Sequence, residues 1–243
     1  MHHLSVASEG GSESRTLLAV WLGRVAYGPA FELQQVVAQL RAENRLADTL
    51  LLLEHSPVYT LGRRAPEEEI LLDADALAAR GIAVERTDRG GRVTYHGPGQ
   101  LVGYPIVRLA TGDLVGYVRS LERAMIAVAA DVGVEAGTID GLTGIWSGDR
   151  KLGAIGIHVS RGITTHGFAL NVNTDLSMFN GIVPCGIVDR GVTSLAEILG
   201  REVPMGDVVA SATKRVGEAL GKFRTIETTL ADIGLEEAFR VGS

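Results

Sequence analysis

Apolar runs and apolar periods divide this chain into short strands set among a few longer helices. Residues 17–22 (LLAVWL) and 49–54 (TLLLLE) are continuous apolar stretches of strand length, and 58–61 extends the second after Pro57. Residues 29–41 place Phe31, Leu33, Val36, Val37 and Leu40 at helical spacing, with Pro29 near the start. A short helix over 73–80 stops at Gly81, and strands follow over 82–86, 92–95 and 100–107. The strongest helix is 113–132, with Leu114, Tyr117, Leu121, Met125, Val128 and Val132 on one face. Strand-like pieces recur at 144–146, 151–158 and 166–172; a capped helix lies within 189–199 and a last long one over 204–222. Thr193 and Ser194 are the capping candidates, with Glu197 nearby. Strands and helices mix without a regular β-α-β rhythm, which predicts an α+β fold of mixed sheets flanked by helices.

The ends change this picture little. Residues 1–14 are small, polar and rich in Gly and Ser, and read as a disordered leader rather than a signal peptide. A single domain over 15–225 and a tail over 226–243 complete the expected organisation. At 243 residues the chain is long enough to bury a core without staples. No run approaches the roughly 18 apolar residues of a membrane span. A net charge of −6 removes the basic footprint of a nucleic-acid binder. One cysteine excludes an intramolecular disulfide and a multi-cysteine zinc site. A cytoplasmic, reducing compartment would leave that thiol free.

Four segments are candidates for chemistry. RGGRVTYHGPGQ, over 89–100, holds four glycines in twelve residues. It reads either as a hairpin with tight turns or as a wall where backbone approaches a ligand; its spacing matches neither a P-loop nor a dinucleotide fingerprint. KLGAIGIH, over 151–158, begins with one of only three lysines against twenty arginines. Lys151 is therefore either a base that arginine cannot replace or a strand-start amine in water. Cys185, in a Pro-Cys-Gly corner, is either a small apolar filler or a nucleophile. In HGFALNVN, over 166–173, Asn171 and Asn173 share a face and either orient a carbonyl or end the sheet. His55, before Ser56-Pro57, reads as a structural turn residue, and no grouping has metal-ligand spacing.

Taken in order, RGGRVTYHGPGQ, RKLGAIGIH, HGFALNVNTDL and FNGIVPCG followed by TSL resemble the lipoyl(octanoyl) transferases. These belong to the biotin/lipoate protein ligase superfamily, so the resemblance implies a ligase-like single domain. It implies transfer of an octanoyl group from acyl carrier protein to a lysine of lipoyl domains. Those domains belong to 2-oxoacid dehydrogenase complexes and to the glycine cleavage H protein. By position, Cys185 matches the acyl-thioester nucleophile and Lys151 the residue that lowers its pKa. Arg89, Gly90, Gly91, Arg92, Val93, Thr94, Tyr95 and His96 match one substrate-lining segment. Ala154, Ile155 and Gly156 match a second, and Gly167, Phe168 and Ala169 a third. His158 departs from the family, which often has arginine there. A thioester donor and an amide product imply no ATP, metal or other cofactor beyond the donor's phosphopantetheine.

Acyl carrier proteins are acidic, so a local arginine cluster is expected, led by Arg63, Arg64, Arg89 and Arg92. Three other readings are an ATP-dependent lipoate or biotin-type ligase, a non-catalytic acyl-carrier or lipoyl-domain binding module, and a thiol hydrolase. The cysteine corner favours transfer over ligation.

Overall fold

The computed structural model describes residues 15–109, 112–183, 190–222 and 224–240. Strand β1 (Thr16–Val25) leads into helix α1 (Tyr27–Ala42), then β2 (Asp48–His55) and β3 (Val58–Leu61). Helix α2 (Ala74–Ala79) precedes β4 (Ala83–Arg86), β5 (Val93–His96) and β6 (Gln100–Ile106). After α3 (Leu114–Asp131) come β7 (Gly137–Ile139), β8 (Leu142–Ser147), β9 (Arg150–Ser160) and β10 (Ile163–Asn171). Helices α4 (Leu195–Leu199) and α5 (Met205–Ala219), strand β11 (Arg224–Thr228) and α6 (Glu236–Arg240) follow.

Eight strands form one mixed sheet in the order β11-β1-β2-β6-β10-β9-β8-β7, parallel on the β11 side and antiparallel from β2 onward. The leucine run of β2 is continuous because both faces of the sheet are covered. Leu50 and Leu52 join the core under α3 and α5, whereas Leu51 and Leu53 join the core under α1. Strand β3 does not prolong β2. Proline lacks an N–H for the ladder, and after Ser56-Pro57 the chain enters a second sheet, β4-β3-β5. There the Pro57 carbonyl accepts from Ala83 N at 3.0 Å.

Helix ends follow the capping chemistry. Asp73 caps α2 and Asp113 caps α3, each accepting a backbone N–H at 2.8 Å. At α4 the cap is Ser194, whose hydroxyl accepts from Glu197 N at 3.1 Å, while Thr193 donates to the Glu197 carboxylate. The leader expected over 1–14 lies outside the described residues. Residues after 225 do not behave as a tail. Their short alternation pairs β11 in parallel with β1. Beyond it, Leu235 is buried, with Leu230, Ile233 and Phe239 packed beside it in the α1 core.

Candidate active site

A channel of about 560 Å³, counting its open mouth, runs over the α1 side of β9 and β10. Its floor is made of small residues, Ala154 and Gly156 on β9 with Gly167 and Ala169 on β10, which leave the space that larger side chains would fill. Cross-strand pairing sets Gly156 against Gly167 and Ala154 against Ala169. The opposite wall is the glycine-rich segment: Arg89, Gly90, Gly91, Arg92, Val93, Thr94 and His96 all line the channel. Gly90 N donates to the Ile157 carbonyl at 2.9 Å, tying that wall to β9. Close approach is what glycine supplies here: a Cβ on Gly156 would stand 3.1 Å from Gly90 O and from Arg89 Cδ. At the turn into β6, Gly99 has φ +78 and a Cβ there would meet the Asn173 carbonyl at 2.5 Å.

Lys151 stands at one end of the channel and also lines an adjoining, mostly apolar cavity with Trp146, Phe179 and Val192. Its ammonium lies 5.1 Å from the centre of the Trp146 ring. Among the described residues it makes no hydrogen bond or ion pair. Cys185 lies outside the described residues, as do Pro184 and Gly186, but the flanks of that segment are placed. Before it, Val183 N donates to Glu69 O at 2.8 Å. After it, the Gly191 carbonyl accepts from Lys151 N and Thr193 N donates to the Lys151 carbonyl, both at 2.9 Å. The strand that carries Lys151 is thus bonded directly to the chain that follows the cysteine.

Two buried histidines, His96 and His166, line the channel, a third, His55, bonds the lining residue Tyr104, and burial favours the neutral form of all three. Burial pushes His55 down to about 4 and His96 to about 3. His166 is also lowered by burial, against the opposing pull of Asp88. His55 Nδ1 donates to the Val25 carbonyl at 2.9 Å, so its Nε2 accepts from the Tyr104 hydroxyl at 2.7 Å. His96 Nδ1 meets Gln100 Oε1 at 2.7 Å, and Gln100 Nε2 donates to Asn171 Oδ1 at 2.9 Å. Asn171 Nδ2 in turn donates to the Thr193 carbonyl at 2.9 Å. This chain of amides fixes His96 with its proton on Nδ1. The His166 Nε2 proton goes to Asp88 at 2.6 Å, and that bond is the main reason the Asp88 carboxyl is lowered.

Several expectations need correction. Tyr95 points away from the channel, edge-on to Tyr59 and Phe179 in the core of the small sheet. His55 is no turn residue but the buried end of β2, with two partners. The arginine cluster is divided. Arg89 is buried, donating to the carbonyl and hydroxyl of Thr60 at 2.6 and 2.7 Å, and Arg92 pairs with Glu69. Arg63, Arg64 and Arg92 are the exposed members, and the charge of Arg92 is matched by Glu69. Asn171 and Asn173 orient the Thr193 and Val203 carbonyls respectively. His158 sits 3.6 Å from Asp88.

Other channel residues were not foreseen: Tyr27, Val102, Tyr104 and His166 also line it. The period of two along β6 would have found Val102 and Tyr104 together. Tyr27 carries no such signal, since α1 brings it in from a distant part of the chain.

Residues 26–217 match the family model of the lipoyl protein ligase A/B catalytic domain. An octanoyltransferase of Chloroflexus aggregans is 51% identical over 199 residues, covering 80% of this chain and 90% of that protein. Another, of Solibacter usitatus, is 54% identical over 179 residues, covering 73% of this chain and 81% of its own. The chain belongs to the octanoyltransferase family. Solved structures extend the likeness in fold. A lipoate-protein ligase A bound with ATP superposes with a TM-score of 0.70 at 20% identity, covering 92% of this chain and 91% of that one. The bi-partite lipoate protein ligase of Thermoplasma acidophilum gives 0.69 at 20% identity, over 94% and 91%. Mixed sheets flanked by helices in one domain are the fold these chains share.

Proposed function

We propose that this chain transfers an octanoyl group from octanoyl-acyl carrier protein to a lysine of lipoyl domains through an acyl thioester on Cys185. The observation that carries the reading is convergence: Lys151 and residues from all three expected lining segments border one channel with a small-residue floor. Burying an eight-carbon chain contributes on the order of 5 kcal/mol, at about 0.8 kcal/mol per methylene.

In the first half-reaction the Cys185 thiolate attacks the donor's thioester carbonyl. A new C–S bond forms, the old one breaks, and the leaving pantetheine thiolate takes a proton from Lys151. A nearby ammonium favours the thiolate over the thiol, which is the electrostatic part of the Lys151 role. In the second half-reaction the acceptor lysine forms the C–N bond as the C–S bond breaks. Its ammonium sheds two protons: one ends on the cysteine sulfur, the other passes through Lys151 to solvent. A thioester gives an amide without ATP or a metal ion, and ping-pong kinetics follow. The lipoyl domains of 2-oxoacid dehydrogenase complexes and of the glycine cleavage H protein are the acceptors. The cytoplasm, where a free thiol persists, is the compartment.

Intact-mass spectrometry after mixing with octanoyl-acyl carrier protein tests this. The expected result is one hydroxylamine-sensitive octanoyl adduct, absent in Cys185→Ala. An unmodified Cys185 during productive turnover overturns the mechanism. Product formed from free octanoate only when ATP and magnesium are supplied would make the protein a ligase.

A further inference from the structure

Lys151 reaches the channel through a break in strand alternation. Along β9, Ala154 and Gly156 line the channel, so strict alternation would put Leu152 there and turn Lys151 towards α3. The opposite is found. Lys151 lines the channel, and Leu152 is fully buried in the core under α3 and α5. Gly153 faces that core too, since a Cβ on it would stand 3.0 Å from Met125 Sδ and Ile145 Cγ1. The pairing shows why: Ile145 of β8 opposes Gly153, but the next residue, Trp146, opposes Lys151. Leu152 is the extra residue of a β-bulge, and an extra residue resets the alternation beyond it.

The partner strand is anchored at the same point. Gly144, next to Ile145, has φ +111, a backbone that glycine alone holds without strain. Its N–H donates to Glu122 Oε1 of α3 at 3.0 Å. Glu122 is 1% exposed, and its other oxygen accepts from Arg119 Nη1 at 2.6 Å. A buried carboxylate is costly unless its oxygens are bonded, and one of these bonds goes to the backbone beside the bulge. A Cβ on Gly144 would stand 3.0 Å from Lys151 Cε, so the lysine stem crosses the space that glycine leaves.

We infer that Glu122 is a positioning residue for the transfer: its carboxylate holds Gly144 and the β8–β9 bulge in the arrangement that keeps Lys151 on the channel face. It comes from α3, which covers the opposite face of the sheet, and acts only through Lys151. The inference rests on the role of Lys151 in the proposed function, as proton carrier and counter-charge of Cys185.

The first test does not depend on turnover. Isotope-labelled reductive methylation keeps the charge and gives NMR signals for the three lysines. The ring of Trp146, 5.1 Å from the Lys151 ammonium, displaces that signal from the solvent-exposed position. In Glu122→Leu the Lys151 signal is expected to move to the solvent-exposed position. In Glu122→Gln, whose amide oxygen still accepts the Gly144 N–H, it is expected to stay. The second test is octanoyl transfer by unmethylated protein. Glu122→Leu is expected to lower kcat about 10²-fold at unchanged KM for the donor, the effect of a misplaced catalytic group. Glu122→Gln should lose less than about threefold, since the Arg119 pair it weakens is partly exposed. Added to Lys151→Met, Glu122→Leu should cost less than about twofold more, because both act through one group.

An unmoved Lys151 signal in folded Glu122→Leu overturns the inference, as does a displaced signal in Glu122→Gln. A second loss of about 10²-fold in the double variant also overturns it, since independent effects multiply. If Glu122→Leu does not fold, Gly144→Ala puts a methyl against the lysine stem and is expected to shift the same signal; an unmoved signal there overturns the inference. Lys151→Met that transfers at the wild-type rate, with the signals shifted as expected, instead defeats the role of Lys151 in the proposed function.

Discussion

Two lysine environments in this molecule make opposite use of charge. Lys222 is about 10% exposed in its side chain and lies 2.6 Å from Asp48, whose carboxylate also takes Arg41 Nε at 2.5 Å and is itself buried. Asp48 further accepts the Arg108 backbone N–H at 3.1 Å. Both carboxylate oxygens there have donors, and such a cluster closes the corner between α1, β2 and the end of α5. Lys151 is only half-buried, faces an aromatic ring, and among the described residues has no carboxylate beside it. A paired cation holds structure, whereas one left without a counter-ion is available to a thiolate or a proton. Burial alone does not separate the two; the partner does.

The largest break in that comparison is Lys151→Met. It removes the proton carrier and the thiolate's counter-charge, so octanoyl transfer should fall between about 10²- and 10⁴-fold. Thermal stability should change little, because no hydrogen bond to the ammonium is lost among the described residues. Turnover with octanoyl-acyl carrier protein and iodoacetamide alkylation of Cys185 at neutral pH measure the two parts. An unchanged alkylation rate would remove the counter-charge role and leave only the proton role.

Asp48→Ala is the mirror experiment. It removes the buried carboxylate that Arg41 and Lys222 share, and breaking a buried pair in this way costs about 3–5 kcal/mol. Denaturant unfolding should show that loss, while the folded fraction keeps its transfer rate. A large fall in rate per folded molecule would show that this distant corner reaches the channel.

The same contrast explains what was readable beforehand. The leucine run of β2, the cap at Ser194, and the three lining segments are local patterns, and local patterns are legible. That β3 leaves β2 for another sheet, that residues after 225 return to pair with β1, and that Tyr95 turns inward depend on partners far along the chain. Lys151 drew notice for its rarity among arginines, yet Lys222 is equally rare; only the presence of Asp48 across 174 positions tells them apart. Arg89 failed as a surface cation for the same reason. Its glycine neighbours suggested an exposed loop, but Thr60 receives its guanidinium. Tyr27 and the ring position of His166 were invisible because one comes from a separate helix and the other from a φ reversal to +56.

The pH dependence of stability is a smaller effect that isolates the neutral histidines. Unfolded, His55 and His96 titrate near 6.5; folded, burial lowers them to about 4 and about 3. Below pH 6.5 the unfolded chain therefore binds protons that the folded chain refuses. Stability is complete above that value and declines as pH falls towards 4, with His96 continuing the loss to about 3. Between pH 6.5 and 5 ordinary carboxylates stay ionised, so the slope there belongs to histidine. Urea midpoints at pH 7, 6 and 5 should fall in order, and His96→Gln should flatten the decline. A flat wild-type profile over this range would mean that the channel wall admits water and lets the imidazoles charge.

The smallest expected effect returns to the Lys151 end. Trp146 is buried, and its indole N–H has no partner among the described residues, although buried indoles usually find one. Trp146→Phe removes that unsatisfied donor and keeps an aromatic face beneath the lysine. Loss of ring area destabilises and loss of the orphan N–H stabilises; the two oppose each other, so unfolding should shift by less than about 1 kcal/mol. The ammonium loses the stronger of the aromatic faces, a difference bounded by the roughly 0.5–1 kcal/mol of a partly exposed cation–π contact. Transfer should then slow by no more than about fivefold. A loss approaching that of Lys151→Met would place the indole itself, through its free N–H, among the groups that touch the reacting thioester.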